Sequence, residues 1–261
     1  MLVRCSLRVH PAPRVRRVRL KETERMAVET DQRTGRRGIR NLRLGGFIQK
    51  GFWGLCDQGL ISASGFVTTV VLARTLGPTD FGAFTLVYAV IFFANALQSA
   101  LVTRPHNVVG TTHDGAEYRR YTTATAVSQL GLVAALVSVT FLCAVVARGA
   151  GWGIAPLLLP LVPAVAAWQM QEFFRRVLYT EGRLKDAFAN DAVSYGAQAV
   201  GIIALGHFGR LTGGRALVII ALTSTIAAAW GLQKTKRSLE RRGVWVMLRE
   251  RWLAENWRFG K

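Results

Sequence analysis

Six stretches of the chain are long, apolar and almost free of charge, over residues 52–73, 82–103, 122–147, 154–171, 187–206 and 216–233. Crossing the hydrocarbon core of a bilayer takes about 20 apolar residues, so each stretch predicts a membrane-spanning α-helix. Helices are required because lipid offers no partner to backbone amides and carbonyls. Asp57 is the one charged residue in the first stretch and Asp191 the one in the fifth; the other four have none. Pro156, Pro160 and Pro163 lie in the fourth stretch, where a membrane helix tolerates them and a bend is expected. The predicted fold is an all-α membrane protein, with six transmembrane helices forming one bundle.

The connections carry the second signal. Residues 1–51, 104–121, 172–186 and 234–261 hold 30 of the 34 Lys and Arg residues, and the intervening connections hold 4. The positive-inside rule then places both termini in the cytoplasm. The formal charge of +19 would suggest nucleic acid in a soluble chain. Here it lies in the cytoplasmic flanks, where membrane lipid is the partner and nucleic acid is not.

The chain divides into three regions: a basic arm and interfacial approach at 1–51, the six-span bundle at 52–233, and a segment at 234–261. Residues 1–25 are Arg-rich and lack the apolar core of a secretory signal. They read either as sequence upstream of a start at Met26 or as a basic arm on the lipid surface. Phe47, Ile48 and Phe52 can sink among headgroups while Arg40, Arg43 and Lys50 stay wet. Trp245, Leu248, Trp252 and Phe259 recur at roughly helical spacing. They predict an amphipathic helix in the interface plane or an ordinary tail helix. Cys5, Cys56 and Cys143 have no metal spacing and imply no disulfide framework. No nucleotide loop, zinc motif or hydrolase elbow occurs, so no cofactor, metal or enzymatic activity is expected.

Polar residues within the spans narrow the function. Asp57, Ser64 and Thr68 share one face of the first helix. Asp57 reads either as a cavity carboxylate binding a coupling proton or Na⁺, or as an anion at a helix N-terminus. Tyr88, Asn95, Gln98 and Val102 form a stripe that lines a polar path or bonds a neighbouring helix. Arg104 comes next, either as a phosphate contact or as an interfacial anchor. Glu172 can pair with Arg175 or Arg176 at i+3 and i+4. That group is a closed ion pair or a cluster that meets a pyrophosphate. Asp191, Tyr195, Gln198 and Ile202 form another stripe on the fifth helix. Gly54, Gly59, Gly65, Gly131, Gly196 and Gly201 suit close helix packing.

The segment DQGLISASGFVTTVVLARTLGPTDFGAFTLVYAVIFF, Asp57 to Phe93, resembles the opening of bacterial polysaccharide-biosynthesis flippases. These belong to the multidrug/oligosaccharidyl-lipid/polysaccharide exporter superfamily. The stretches Val102 to Gly110 and Trp168 to Gln198 resemble the corresponding later regions. The resemblance implies an inner-membrane carrier that flips a lipid-linked oligosaccharide or polysaccharide precursor. Such carriers have two similar bundles, about 12–14 helices in all, around a central cavity. This chain then corresponds to the N-terminal six-helix lobe, working with a second lobe or partner subunit. The resemblance also implies that Arg104, with Arg175 and Arg176 behind it, meets the substrate's phosphates. Asn95, Gln98 and Gln198 would add to the binding wall, and Asp57, Asp191 and Glu172 are the candidates for ion coupling. A multidrug extruder of the same superfamily and a non-transporting scaffold subunit are the rival expectations.

Overall fold

The computed structural model describes Gln49, residues 51–240, Leu248 and Trp252. The chain divides into two units, Met1–Gly51 and Phe52–Lys261, and the second holds the helical bundle. The expected basic arm, its interfacial residues other than Phe52, and most of the C-terminal segment lie outside the described residues.

The described residues are helical and include no strand. Helix α1 spans Gly51–Thr75 and α2 spans Pro78–Gln98. A π-helical turn, Ser99–Thr103, leads into α3, Arg104–Val109, without a break in the helix. Helix α4 covers Gly115–Gly149 and α5 covers Ala155–Thr180. Helix α6, Leu184–Asp191, continues through a second π turn, Ala192–Gly196, into α7, Ala197–His207. Helix α8 is Gly213–Thr235.

Five of these rods are long and apolar enough to cross a membrane: Gly51–Thr75, Pro78–Thr112, Gly115–Gly149, Ala155–Thr180 and Gly213–Ser238. The expected fifth span is helical from Leu184 to His207 but is not among the five. Asn190, Asp191 and Gln198 dilute its apolar character, and all three are buried against protein. Most of the helices also outrun their apolar stretches at both ends, and α5 does so at its C-terminal end. Hydropathy marks the length that lipid can cover, and a helix can continue beyond it into polar surroundings.

Local chemistry sets the ends. Pro78 starts α2 with its ring in the first turn, where no amide is needed. Thr212 caps α8 by accepting from the Arg215 amide at 3.3 Å. Gly151 and Gly182 take positive φ of 70° and 69°. The amides of the next residues reach back to Ala147 and Leu178, each at 2.9 Å, closing α4 and α5 with the same turn. Helix α5 runs on through Pro160 and Pro163.

Helices α5 and α8 form the enclosed centre of the bundle, and α1, α2 and α4 are more peripheral. The main core joins Leu72, Phe84, Ile91, Leu161, Ile202, Leu217 and Ile220 across these rods. Outward, α4 presents Leu130, Phe141, Leu142, Val145 and Val146. A contiguous apolar surface of this kind is compatible with a membrane-spanning helix.

Of the glycines expected to bring helices together, Gly201 does so and the others do not. A Cβ at Gly54, Gly59, Gly65, Gly131 or Gly196 would meet nothing within 4 Å. The close approaches are at Gly201 against Ile219, Gly206 against Val71, Gly213 against Leu157 and Gly231 against Phe174. Sequence shows that a glycine is present but not which face of its helix is covered.

Polar clamps close one end of the bundle. Asp186 binds Arg183 at 2.8 Å and Lys234 at 3.2 Å, joining α6 to α8. Glu240 reaches Arg119 at 3.3 Å, and its own amide donates to the Thr123 hydroxyl oxygen at 2.7 Å. The Trp252 indole donates to Thr125 at 3.0 Å, and its ring packs with Tyr121 and Ala124. Trp252 therefore seats on α4, and the remainder of the expected tail helix lies outside the described residues.

Burial pushes the Asp186 carboxyl up, but hydrogen bonds from Arg183 and Lys234 outweigh it and hold the group below its ordinary value. The unfolded chain then binds the proton more readily. The clamp's stability is present above the ordinary Asp pKa of about 3.9 and is lost as pH falls through the lower folded value. The pair is solvent-screened, so its effect is small. Asp186→Asn should lower the melting midpoint by roughly 1–3 °C at pH 7, with the difference closing towards pH 3. Thermal melts of both proteins across that range check this.

Candidate functional site

The site is built on one face of α5. Glu172, Arg175, Arg176 and Tyr179 recur at helical spacing, so their side chains project together. Helix α1 delivers Asp57 to this face, and the end of α6 delivers Asn190 and Asp191. Asp57, Glu172, Arg175 and Asp191 are all buried, none more than 4% exposed.

Arg175 stands at the centre. Its Nη2 donates to Asp57 Oδ2 at 2.8 Å. Its Nη1 donates to Glu172 Oε2 at 3.0 Å and Oε1 at 3.2 Å. Its Nε lies 2.5 Å from Asp191 Oδ2 in an ionic contact that is not an aligned hydrogen bond. Arg176 Nε binds Glu172 Oε1 at 2.6 Å, with about a third of its side chain still open to the outside. The i+3 and i+4 partners expected for Glu172 are therefore both engaged. The Tyr179 hydroxyl donates to Asp57 Oδ2, and the Arg175 guanidinium lies 5.2 Å from the Tyr179 ring centre.

A relay of amides ties this centre to α8. Gln171 Nε2 donates to Asn190 Oδ1 and to Asp191 Oδ1, each at 3.0 Å. Asn190 Nδ2 in turn donates to the Ala227 carbonyl at 2.7 Å. Four rods, α1, α5, α6 and α8, thus meet through a continuous polar network.

The charges do not balance. Three carboxylates face one buried guanidinium and a second that reaches outward. With all five ionised, the cluster carries one excess negative charge. In a low-dielectric interior that excess is expensive, and uptake of one proton or one monovalent cation removes it. Among the described residues no group of His, Cys, Asp or Glu has the arrangement of a metal centre.

A second polar layer lies nearby. Gln98 and Gln129 both donate to the Gln169 carbonyl, at 2.8 and 3.3 Å, joining α2 and α4 to α5. Val102, Phe173, Phe174 and Val177 form an apolar layer close by. His106 then meets Thr122 at 3.2 Å and stacks on Tyr121.

The structure therefore brings together Asp57, Glu172, Arg175, Arg176 and Asp191. It does not bring Arg104, Asn95, Gln98 or Gln198 to them. Arg104 is exposed at the start of α3, and Asn95 is half-buried. Gln98 joins the glutamine layer, and Gln198 is buried on α7. Arg175, expected to meet phosphate, has its guanidinium occupied by carboxylates. Sequence reasoning passes over Tyr179, Asn190 and Gln129. Tyr179 is readable as the next turn after Arg175, and Asn190 as the neighbour of Asp191. Gln129 stands alone in a long apolar run and gives no partner to look for.

No family model, curated protein or solved structure matches the chain. The geometry of the buried cluster is thus the firmest ground for a functional reading.

Proposed function

We propose that the protein is a six-span lobe of a bacterial inner-membrane carrier, with both termini in the cytoplasm. In this reading it moves a lipid-linked oligosaccharide or polysaccharide precursor between leaflets by alternating access, together with a second lobe or partner subunit. The observation that carries the reading is the buried cluster in which α1, α5 and α6 share Arg175 with one carboxylate too many. A purely structural ion pair favours balanced charge. An unbalanced one holds its helices together only while a bound cation compensates, so ion occupancy biases which arrangement is populated. Asp57, Asp191 and Glu172 are the ion-coupling groups in this reading. Arg104 and the outer edge of Arg176 are the cations left to receive a diphosphate. Arg175 orients the carboxylates, and Gln98, Gln198 and Asn95 contribute polar groups within the bundle. The burial of Asn190, Asp191 and Gln198 supports residues 187–206 as a sixth crossing, since its polar groups avoid lipid.

A multidrug extruder is the second reading, favoured by the same excess of carboxylates, which suits cationic cargo. Reconstitution of the full chain into liposomes separates the two. A fluorescent polyprenyl-diphosphate oligosaccharide should cross faster than in protein-free vesicles, while a lipophilic cationic dye should not. Movement of the dye alone would sink the glycan reading in favour of the extruder.

A further inference from the structure

A groove of about 380 Å³ lies between α1 and α2, well apart in sequence from the α5 residues of the charged cluster. That volume falls in the range of small-molecule sites, about 300–1,000 Å³. One wall is aromatic. Tyr88 stacks on Phe84 with centroids 5.4 Å apart and 15° between planes, and meets Phe92 edge-on at 5.0 Å. Trp168 of α5 braces Tyr88 from behind at 6.1 Å. The other wall is Gly65, Thr68 and Leu72 of α1. No charged residue lines the groove, so its occupant is neutral.

Thr68 decides what kind of neutral occupant fits. Threonines within helices usually bond a carbonyl one turn back, and two others in the groove do so. Thr69 donates to Gly65 at 2.9 Å and Thr85 to Phe81 at 2.6 Å. The Thr68 hydroxyl, with its residue only 4% exposed, has no hydrogen-bond partner in the protein. A hydrocarbon chain lying in the groove would leave that hydroxyl unpaired. An occupant that offers its own hydroxyl pairs with it while its flat apolar face covers the rings. At Gly65 an added Cβ would meet nothing within 4 Å, so the absence of a side chain there keeps the groove open.

We infer that the α1–α2 groove binds one neutral, hydroxyl-bearing ring, a sugar residue of a membrane-embedded glycolipid. The ring face lies against Tyr88 and Phe92, and a ring hydroxyl pairs with Thr68. The glycolipid source rests on the carrier reading above, whereas the sugar site itself rests on the groove.

Photolabelling tests it. The full chain in phosphatidylethanolamine–phosphatidylglycerol nanodiscs is irradiated with a dodecyl β-glucoside carrying a diazirine on the sugar, and labelled peptides are mapped by mass spectrometry. Label is expected within residues 65–72 and 81–92, suppressed by excess dodecyl β-glucoside and not by dodecanol. Thr68→Val should weaken competition by about two- to tenfold, the equivalent of one neutral hydrogen bond. Gly65→Leu fills the groove and should abolish labelling, with its melting midpoint unchanged to show an intact fold. Equal competition by dodecanol would overturn the inference, because a hydrocarbon chain would then be the occupant. Label elsewhere, or full labelling of Gly65→Leu, would overturn it as well. Equal competition by methyl β-glucoside would keep the sugar site and overturn the glycolipid source. Transport failure with labelling intact would count against the carrier reading alone.

Discussion

Arg175→Ala is expected to destabilise the protein by about 3–5 kcal/mol, the range for breaking a buried ion pair from one side. The loss goes beyond one contact. Arg175 is the shared partner of Asp57, Glu172 and Asp191, and all three are buried. Removing it leaves only Arg176, which touches Glu172 alone. Two carboxylates would then face each other without a cation, and of the two polar ties from α5 to Asp57 on α1 only the Tyr179 hydroxyl would remain. A domain has only about 5–15 kcal/mol of stability in all, so the variant should accumulate poorly or melt far below the parent. Arg175→Lys keeps the charge but loses the planar fork, and should recover only part of the loss. The check is the melting midpoint in detergent with a triple variant, Arg175→Leu with Asp57→Asn and Asp191→Asn. Removing the charges together should restore much of what Arg175→Ala loses. If Arg175→Ala melts with the parent, the cluster does not hold the helices together.

Gly231→Ala is the second large effect, and its sign is the informative part. In an open helical position this change stabilises by about 1 kcal/mol. At Gly231 the new Cβ would stand 2.7 Å from Phe174 Cβ and 3.2 Å from Asn190 Nδ2. A Cβ is fixed by its backbone, so α5 and α8 must separate at the centre of the bundle. Overpacking of this kind costs about 1–3 kcal/mol. Displacing Asn190 also loosens its bond to the Ala227 carbonyl, worth about 1 kcal/mol. Gly59→Ala is the matched control, since its Cβ would meet nothing within 4 Å. Melting curves should show Gly231→Ala clearly lowered and Gly59→Ala unchanged or raised. The same direction for both would contradict the close α5–α8 seam.

These two positions also show how far the sequence can be read. The long apolar helices are recognisable because an unbroken apolar run of that length is visible in the sequence itself. The Glu172–Arg175–Arg176 grouping is legible because its spacing lies within one helix. The approach of Asp57 to Arg175 is not, since the two are 118 positions apart and only tertiary packing joins them. Glycine is the weakest guide. The expected packing glycines Gly54, Gly59 and Gly65 face open space, and Gly231, which carries no distinguishing neighbour in sequence, sits at the tightest seam. Leu184–His207 falls below the other helices in apolar character. Its polar residues lower the average, yet Asn190 and Asp191 are turned inward to Gln171 and Ala227.

The most direct measurement is translocation of the fluorescent polyprenyl-diphosphate oligosaccharide by the reconstituted full chain, with and without an imposed proton or Na⁺ gradient. The parent protein should move it faster than protein-free vesicles and respond to one of the gradients. Asp191→Asn, which removes the excess negative charge but keeps the amide contacts, should lose that response. A parent protein no faster than empty vesicles, or an Asp191→Asn variant with an undiminished gradient response, would contradict an ion-coupled carrier built around Arg175.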